Sequence, residues 1–535
     1  MIPPPSGPET KGLPGRLLAA GKIALLLAWF AVQPAAFAQT NVFEINSPPV
    51  PANPIDALVF NRLKTLGLQP ANPCSDAVFV RRVFLDVTGT LPTAREAMDF
   101  IQSREPDKRA RLIDRLLARD EFADYWAMRW SELLRIKAEY PINLWPEAAQ
   151  AYHQWIRAAI ADNMPYDRFA RELLTASGSD FQYPPANFFR AMQNRDPQGI
   201  ARAVALAFMG ERAEKWPTNQ LAGMAAFFSQ VGYKPTDEWK EEIVFWDSDS
   251  TNARQTAVFP DGRKIQLPPD RDPREIFAGW LVDGNNQQFT RCIVNRVWAW
   301  LLGRGIIQEP DDIRPDNPPA NPELLTYLQG ELVASHFNLK HIYRLILNSQ
   351  TYQLSCVARS DGPGAEANFA AYPLRQLDAE VLADALCKIT GTGEKYSSPI
   401  PEPYTFIPPN ERSVALPDGS ISSAFLELFG RPARDTGLDS ERNNRPTASQ
   451  KLHLLNSSHI RNKLAQSPKL LAIARLPEGP REIVAGLYLS ILSRFPTPEE
   501  LQIAGARFEP GADPRDATID VAWALINSAE FIYRH

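Results

Sequence analysis

Apolar residues recur at helical spacing along most of this chain. Between Asp56 and about Ala161 they fall three or four positions apart in successive stretches. These stretches contain Phe79, Val83, Phe84 and Val87, then Leu112, Ile113, Leu116 and Leu117, then Phe122, Trp126, Trp130, Leu133 and Leu134. The pattern predicts consecutive amphipathic helices and a mainly α fold built from helix hairpins.

Two capping signals indicate where helices begin. Thr93-Ala94-Arg95-Glu96 has the capping-box spacing, in which the threonine hydroxyl and the glutamate carboxylate each accept a backbone N–H. It predicts a helix from Ala94. Thr497-Pro498-Glu499-Glu500 repeats the signal with proline at the first helical position. The residues that follow the two signals are also similar, which suggests a recurring helical unit of variable length rather than a strict solenoid repeat.

The periodicity changes between the two ends of the chain. Residues 256–267 read as two short strands about a Pro-Asp-Gly turn. This predicts a first helical domain over 39–247, a linker with a β-hairpin over 248–272, and a second helical domain over 273–535. A proline-rich loop from about Lys395 to Leu416 is expected at the surface.

The N-terminal segment has the layout of a signal peptide. Residues 1–38 combine basic residues, an apolar run from Ile23 to Val32 and the small-residue site Ala36-Phe37-Ala38. The apolar run is shorter than the ~20 residues needed to span a bilayer, and no later stretch is apolar enough. Cleavage after Ala38 is therefore expected to give a periplasmic or secreted chain without a transmembrane segment.

Composition excludes several classes of protein. The chain has 535 residues, 44% of them hydrophobic, and a formal net charge of −5, which disfavours a nucleic-acid partner. No Gly-x-Ser-x-Gly, P-loop or Gly-x-Gly-x-x-Gly motif is present. The four cysteines, Cys74, Cys292, Cys356 and Cys387, lie far apart, so no zinc ribbon or covalent haem motif can be written. We expect buried thiols, and a single disulfide between two of these cysteines is the alternative.

Several stretches resemble a known family. Arg81-Arg82-Val83-Phe84-Leu85-Asp86 and Met164-Pro165-Tyr166-Asp167 resemble the first of two adjacent domains of unknown function in large secreted planctomycete-type proteins. Asn295-Arg296-Val297-Trp298, Leu377-Asp378-Ala379-Glu380 and Phe429-Gly430-Arg431-Pro432 resemble the second. The two are the cytochrome-c-associated domain numbered fifteen forty-nine and the domain numbered fifteen fifty-three. The resemblance implies a fold but no established reaction.

The chain departs from this family at one site. Relatives often carry Cys-x-x-Cys-His between a Phe-Leu-Gly-like helix end and an Ala-Phe-Phe helix. Here Phe208-Met209-Gly210 leads through residues 211–216 to Ala226-Phe227-Phe228, and that segment holds neither cysteine nor histidine. Covalent haem needs both, so no covalently attached haem is expected.

Acidic residues after a predicted helix form one candidate site. Asp311, Asp312 and Asp316 place oxygen ligands in a loop, which suits a hard cation such as calcium or acid–base chemistry. Glu441 is a further acid–base candidate. Helix capping and pairing with Arg304 or Arg314 is the alternative, and it is the favoured one, because acidic loops are usually solvated or paired.

Arginines near the family stretches form a second candidate site, and aromatic residues a third. Guanidinium groups bind carboxylate, sulfate or phosphate bidentately, so these arginines could line a shared anion pocket. The alternative is that they form ion pairs inside the protein, and we favour this alternative about two to one. The candidates are Arg296, Arg304, Arg431, Arg434 and Arg442, with Arg445, Asp435 and Asp439 alongside. Trp126, Trp130, Trp145, Tyr152 and Trp155 could form a sugar platform, but their helical spacing favours a core role.

Two functions remain open at this point. The first is a haem-less binding or assembly component of the cell envelope, whose partner is an envelope protein or an acidic polymer. The second is a hydrolase of an acidic or sulfated polysaccharide that uses the carboxylates of residues 311–316 or Glu441. Close, buried carboxylates in a concave pocket would favour the enzyme, and an extended exposed face would favour the binding protein.

Overall fold

A computed structural model of the chain describes residues 41–249, 255–477 and 479–535. The predicted signal peptide lies outside the described residues. The predicted mainly α fold is confirmed. No helix in the described ranges combines the length and the apolar character that crossing a membrane requires.

The first region is built from short helices. They are Pro54–Thr65, Asp76–Thr88, Ala94–Gln102, Lys108–Leu117, Asp120–Leu133, Pro146–Ala161, Tyr166–Leu174, Asn187–Arg190, Pro197–Val204 and Thr218–Ala225. A small antiparallel sheet joins Gly178–Ser179, Glu242–Trp246 and Val231–Pro235, in that order across the sheet. The helix predicted from Ala94 is confirmed together with its capping box.

The predicted β-hairpin is also confirmed, with Thr256–Val258 paired antiparallel to Lys264–Gln266. The helices after it are Pro273–Leu281, Gln287–Leu302, Pro322–Ala334, Leu339–Leu347, Pro363–Ala367, Ala379–Thr390, Ala424–Leu428, Ala448–Asn456, Ser458–Ala465, Pro468–Ala474, Pro480–Ile491, Pro498–Gly505, Pro514–Ile526 and Ala529–Ile532. Arg375–Gln376 pairs antiparallel with Tyr533–Arg534. The capping box at Thr497 forms as predicted.

The helices before and after the hairpin share one hydrophobic core, which runs from Ile55 to Phe531. Helix Asp76–Thr88 is buried from its third residue onward, and its two arginines reach the C-terminal part of the chain. The Arg81 guanidinium donates to the backbone carbonyls of Ile491 and Phe531 at 2.7 and 2.9 Å. The predicted division of the chain at 248–272 is therefore bridged by buried contacts, and separate folding of the two domains stays a prediction.

Candidate functional site

Four of the candidate residues from sequence, Arg431, Arg434, Glu441 and Arg442, lie in the segment 430–442, which contacts both regions. Two glycines allow this close approach. Gly430 has a φ of 86°, and a Cβ there would lie 1.9 Å from the carbonyl oxygen of Asn443. Gly437 has a φ of 74°, and a Cβ there would lie 2.6 Å from the carbonyl oxygen of Leu133. A side chain at Gly437 would push the segment off helix Asp120–Leu133, and one at Gly430 would separate the two sides of the loop at Asn443.

Four of the five candidate arginines have buried side chains, and three of those four are paired with carboxylates inside the protein. Arg296 donates to Asp311 at 2.8 Å. Arg431 lies 3.4 Å from Glu380, and Arg442 bonds Glu380 at 2.8 Å as well as Glu132. These arginine–carboxylate pairs leave none of the three guanidinium groups available for a bound anion.

Arg434 is the fourth buried arginine, and its partners are backbone carbonyls. It donates to the carbonyl of Pro417 at 3.1 Å, and the residue is 1% exposed. Burial and the neighbouring charge of Arg431 lower the pKa of the Arg434 guanidinium to about 10. Arg304, the fifth candidate, shares none of these partners and lies 3.9 Å from Glu366. Arg445 is exposed.

The predicted acidic residues do not gather into one site. Asp312 pairs with Lys215 at 3.0 Å, and Asp316, which is exposed, pairs with Arg314 at 3.0 Å. Glu441 accepts the backbone N–H of Asp435 at 2.8 Å and so closes its own loop. Within the three described ranges, no group of three or more His, Cys, Asp or Glu side chains is placed to hold a metal ion. These residues offer no ligand set for Ca²⁺.

The segment at the family's haem position is also occupied by internal pairs. Arg212 bonds Glu309 at 2.8 Å, and the Trp216 indole donates to Glu211 at 3.1 Å. Glu211 in turn accepts the amide of Gln288. No thiol or imidazole lies within residues 211–216, so these residues do not fit a covalently held haem. All four cysteines of the chain are free.

Asp378 is the centre of the buried charge network. Its carboxylate accepts from Arg129 at 2.8 Å, from Arg534 at 2.6 Å and from Asn444 at 2.6 Å. Burial alone would raise the pKa of Asp378, but Arg129, Arg534 and Arg442 together hold that pKa well below its usual range. Because Arg129 precedes the β-hairpin and the other partners follow it, the network joins the two regions.

Asp439 differs from the other acids near this network. Its backbone N–H donates to Asp311 at 2.6 Å. Its carboxylate reaches solvent and has no hydrogen-bond partner among the described residues. The surrounding protein, and then the negative charge of Asp311, raise the pKa of the Asp439 carboxyl. Asp439 is therefore accessible to a ligand, whereas the carboxylates of Asp311 and Asp378 are buried and paired with arginines.

A separate group of aromatic residues reaches the surface on three loops, and we call it the aromatic surface. It consists of Trp145, Trp239 and Tyr404 with the ammonium of Lys240. The ring centroid of Trp145 lies 6.5 Å from that of Trp239 and 5.2 Å from that of Tyr404. Lys240 Nζ lies 5.1 and 5.3 Å from the centroids of Trp145 and Trp239, within cation–π range. Trp239 is 65% and Tyr404 49% exposed.

Trp145 has an unusual backbone conformation. Its φ of 73° and ψ of 147° fall in a region used almost only by glycine, and such a residue costs about 1–3 kcal/mol. The loop before it is fixed from outside: Ala138 N–H donates to Asp418 at 2.8 Å, and Gly419 N–H donates to the carbonyl of Ile136 at 2.9 Å. The fold therefore maintains a strained tryptophan at the base of an exposed aromatic group.

Sequence reasoning identified only part of this surface. Of the candidate platform residues, Trp126, Trp130 and Tyr152 are buried in the core, which confirms the core interpretation for them. Trp145 packs instead against Trp239 and Tyr404, and the sequence pattern did not single out Trp239. A single tryptophan in the polar stretch Lys234-Pro-Thr-Asp-Glu-Trp-Lys240 is the signal that could have found it.

Two family models cover most of the described chain. Residues 54–222 match PSCyt2: Protein of unknown function (DUF1549), and residues 273–507 match PSD1: Protein of unknown function (DUF1553). The chain belongs to this two-domain family. The order of the two matches agrees with the resemblance found from sequence, and neither family description states an activity. No curated protein and no solved structure matches the chain.

Proposed function

We propose that this protein is a haem-less binding component of the cell envelope, active outside the cytoplasm, and that the aromatic surface is its recognition site. The observation that carries the proposal is the exposure of Trp239 and Tyr404 beside the strained Trp145. Large aromatic side chains that remain exposed together mark binding sites more often than isolated ones do. Phe406 and Tyr140, which neighbour the surface in sequence, are 68% and 81% exposed.

The buried charge network supports this proposal indirectly. Arg296, Arg431 and Arg442 already have carboxylate partners, so they give no pocket for an acidic polymer. Instead, the Arg442–Glu132 and Arg129–Asp378 pairs join the two regions into a stiff body. A stiff body lowers the entropy that the loops lose when a partner binds, since the loops start from a fixed arrangement.

Capture from an envelope extract of the source organism tests this function. Immobilised mature protein is compared with the Trp239→Ala/Tyr404→Ala double variant and with Trp523→Ala. Trp523 is a matched control because it is 39% exposed and lies on helix Pro514–Ile526, outside the aromatic surface. We expect wild type and Trp523→Ala to retain the same envelope component, and the double variant to lose it. Equal capture by all three proteins would refute the proposal.

The location is tested separately. Cleavage after Ala38 predicts that the mature protein begins at Gln39 and is recovered from the periplasmic or culture fraction. N-terminal sequencing of the protein from those fractions measures this directly. An intact Met1 in cytoplasmic protein would contradict it.

A hydrolase of a polysaccharide is the second candidate, and Asp439 is the observation that favours it. A carboxyl with a raised pKa suits the general acid of a glycosidase, and Asp311 and Glu132, whose charges contribute to that shift, are the candidates for the second carboxyl group. Polysaccharides incubated with wild type should then release reducing ends, and Asp439→Asn should abolish the release. If wild type releases no reducing ends from charged or uncharged polysaccharides, the hydrolase is refuted and only the binding function stands.

A further inference from the structure

The charges around the aromatic surface indicate what kind of ligand it takes. Lys234 and Lys240 are both exposed on the segment that carries Trp239. Asp237 and Glu238 are exposed on the same segment, and their carboxylates have no partner among the described residues. Glu241 follows and accepts the hydroxyls of Ser179 and Thr236. Two cations therefore accompany three carboxylates, and a polyanion gains no net attraction on approach.

The free carboxylates suit a ligand that donates hydrogen bonds. Ionised Asp and Glu are acceptors only, with about four lone-pair sites each. Asp237 and Glu238 can accept from hydroxyl groups, which an uncharged sugar chain carries on every ring. The ammonium of Lys240 lies over the rings of Trp145 and Trp239, and the exposed carboxylates of Asp237 and Glu238 on the same segment offset its attraction for an anion.

The aromatic rings supply the apolar half of such a site. A pyranose ring has C–H faces that pack against an indole or a phenol, while its hydroxyls point outward from the ring edge. Tryptophan and tyrosine provide large contact areas with few rotatable bonds, so little side-chain entropy is lost. Trp239 and Tyr404 come from different loops, and both pack against the ring of Trp145. Together they make one continuous aromatic area.

We propose that the aromatic surface binds an uncharged polysaccharide, an inference that rests on the proposed function and names the ligand class of the same site. The sugar faces pack on Trp239 and Tyr404, and the sugar hydroxyls donate to Asp237 and Glu238. The fixed backbone of Trp145 holds its ring against both aromatic partners before the ligand arrives.

Affinity electrophoresis tests the inference with defined probes. The uncharged gels contain hydroxyethyl cellulose, laminarin, galactomannan or dextran, and the charged gels contain dextran sulfate or polygalacturonate. We expect wild-type protein to be retarded by at least one uncharged polysaccharide, at an affinity that changes less than about twofold when salt is raised, because no ion pair forms with such a ligand. Retardation by the two charged probes alone, or by none of the six, would overturn the inference.

Variants identify the residues that carry the binding. Trp239→Ala should weaken retardation at least about tenfold, and Trp523→Ala should leave it unchanged. Lys240→Gln should weaken it less than about threefold, because the ammonium does not pair with an uncharged ligand. A Lys240→Gln effect as large as that of Trp239→Ala would overturn the inference in favour of an anionic ligand. Near-ultraviolet circular dichroism confirms that each variant is folded.

The two proposals fail in different ways. Capture of an envelope protein through Trp239 and Tyr404, with no retardation by any polysaccharide, refutes the uncharged sugar chain and leaves the binding function standing. If the Trp239→Ala/Tyr404→Ala variant retains both capture and retardation, the aromatic surface itself is refuted as the binding site.

Discussion

Replacing Asp378 by asparagine tests the buried charge network most severely. The substitution keeps the shape of the side chain but removes the negative charge that Arg129 and Arg534 contact at 2.8 and 2.6 Å. Both arginines stay buried, and the amide introduced by Asp378→Asn would place donors against donors. The exposed Asp316, which pairs with Arg314 at the surface, provides the matched Asp→Asn control.

The expected loss follows from burial. Removing one partner of a buried ion pair costs about 3–5 kcal/mol, because the remaining charge is uncompensated. A cooperative unit of roughly 490 residues has an unfolding entropy near 1 kcal/mol/K, at about 2.1 cal/mol/K per residue, so Tm should fall by about 3–5 °C. If only the first region unfolds as a unit, the fall is larger. The Asp316→Asn variant should change Tm by no more than about 1 °C, since a surface pair contributes at most about 1 kcal/mol.

Calorimetry and chemical denaturation together measure this effect. Thermal scans give the change in Tm, and urea titrations followed by tryptophan fluorescence give the change in free energy of unfolding. A loss below about 1 kcal/mol for Asp378→Asn, or a loss equal to that of Asp316→Asn, would refute the role of Asp378 as the central partner.

Three further predictions concern pH and chain cleavage. Burial lowers the pKa of His153 to about 3, so between about pH 6.5 and 3 the unfolded state binds more protons at this residue, which should contribute a loss of about 1.4 kcal/mol of stability for each pH unit of acidification. Since burial also lowers the pKa of His535 to about 3, His153→Phe should reduce the slope of stability against pH in urea titrations without abolishing it. The pKa of Asp439 is higher in the folded state than in the unfolded state. The free energy of unfolding therefore falls as pH rises through the interval between these two pKa values. Asp439→Asn should raise Tm at pH 7 and leave it unchanged at pH 3. Limited proteolysis that cuts within residues 248–272 should leave two fragments that elute together in gel filtration. The reason is that Arg81 and Arg82 of the first region are buried against the second. Separate elution would contradict the shared core.

Local features of the fold could be predicted from sequence. The capping boxes at Thr93 and Thr497 depend on residues three positions apart, and both form as predicted. The β-hairpin at 256–267 follows from one turn and its flanking alternation. Short-range signals of this kind predict local structure correctly where no distant contact favours a different backbone conformation.

The charge network could not be assigned from sequence. Asp86 and Arg534 bond at 2.8 Å across 448 positions, and Asp378 bonds Arg129 across 249. Arginine density near 430–442 favoured internal ion pairs over an anion pocket but did not identify which carboxylates form the pairs. Only Trp145 of the aromatic surface was a candidate from sequence, for a similar reason: Trp145, Trp239 and Tyr404 come from three loops that only the tertiary fold brings together.

Hydroxyl-radical footprinting of the protein in its native envelope extract tests the central claim most directly, because it maps the bound surface without assuming a ligand. The account predicts that extract lowers the oxidation of Trp239, Tyr404 and Phe406, which are exposed in the free protein, and leaves Trp523 unchanged. Protection confined to residues 311–316 or to Trp523, with Trp239 oxidised at the rate of the free protein, would contradict the aromatic surface as the recognition site.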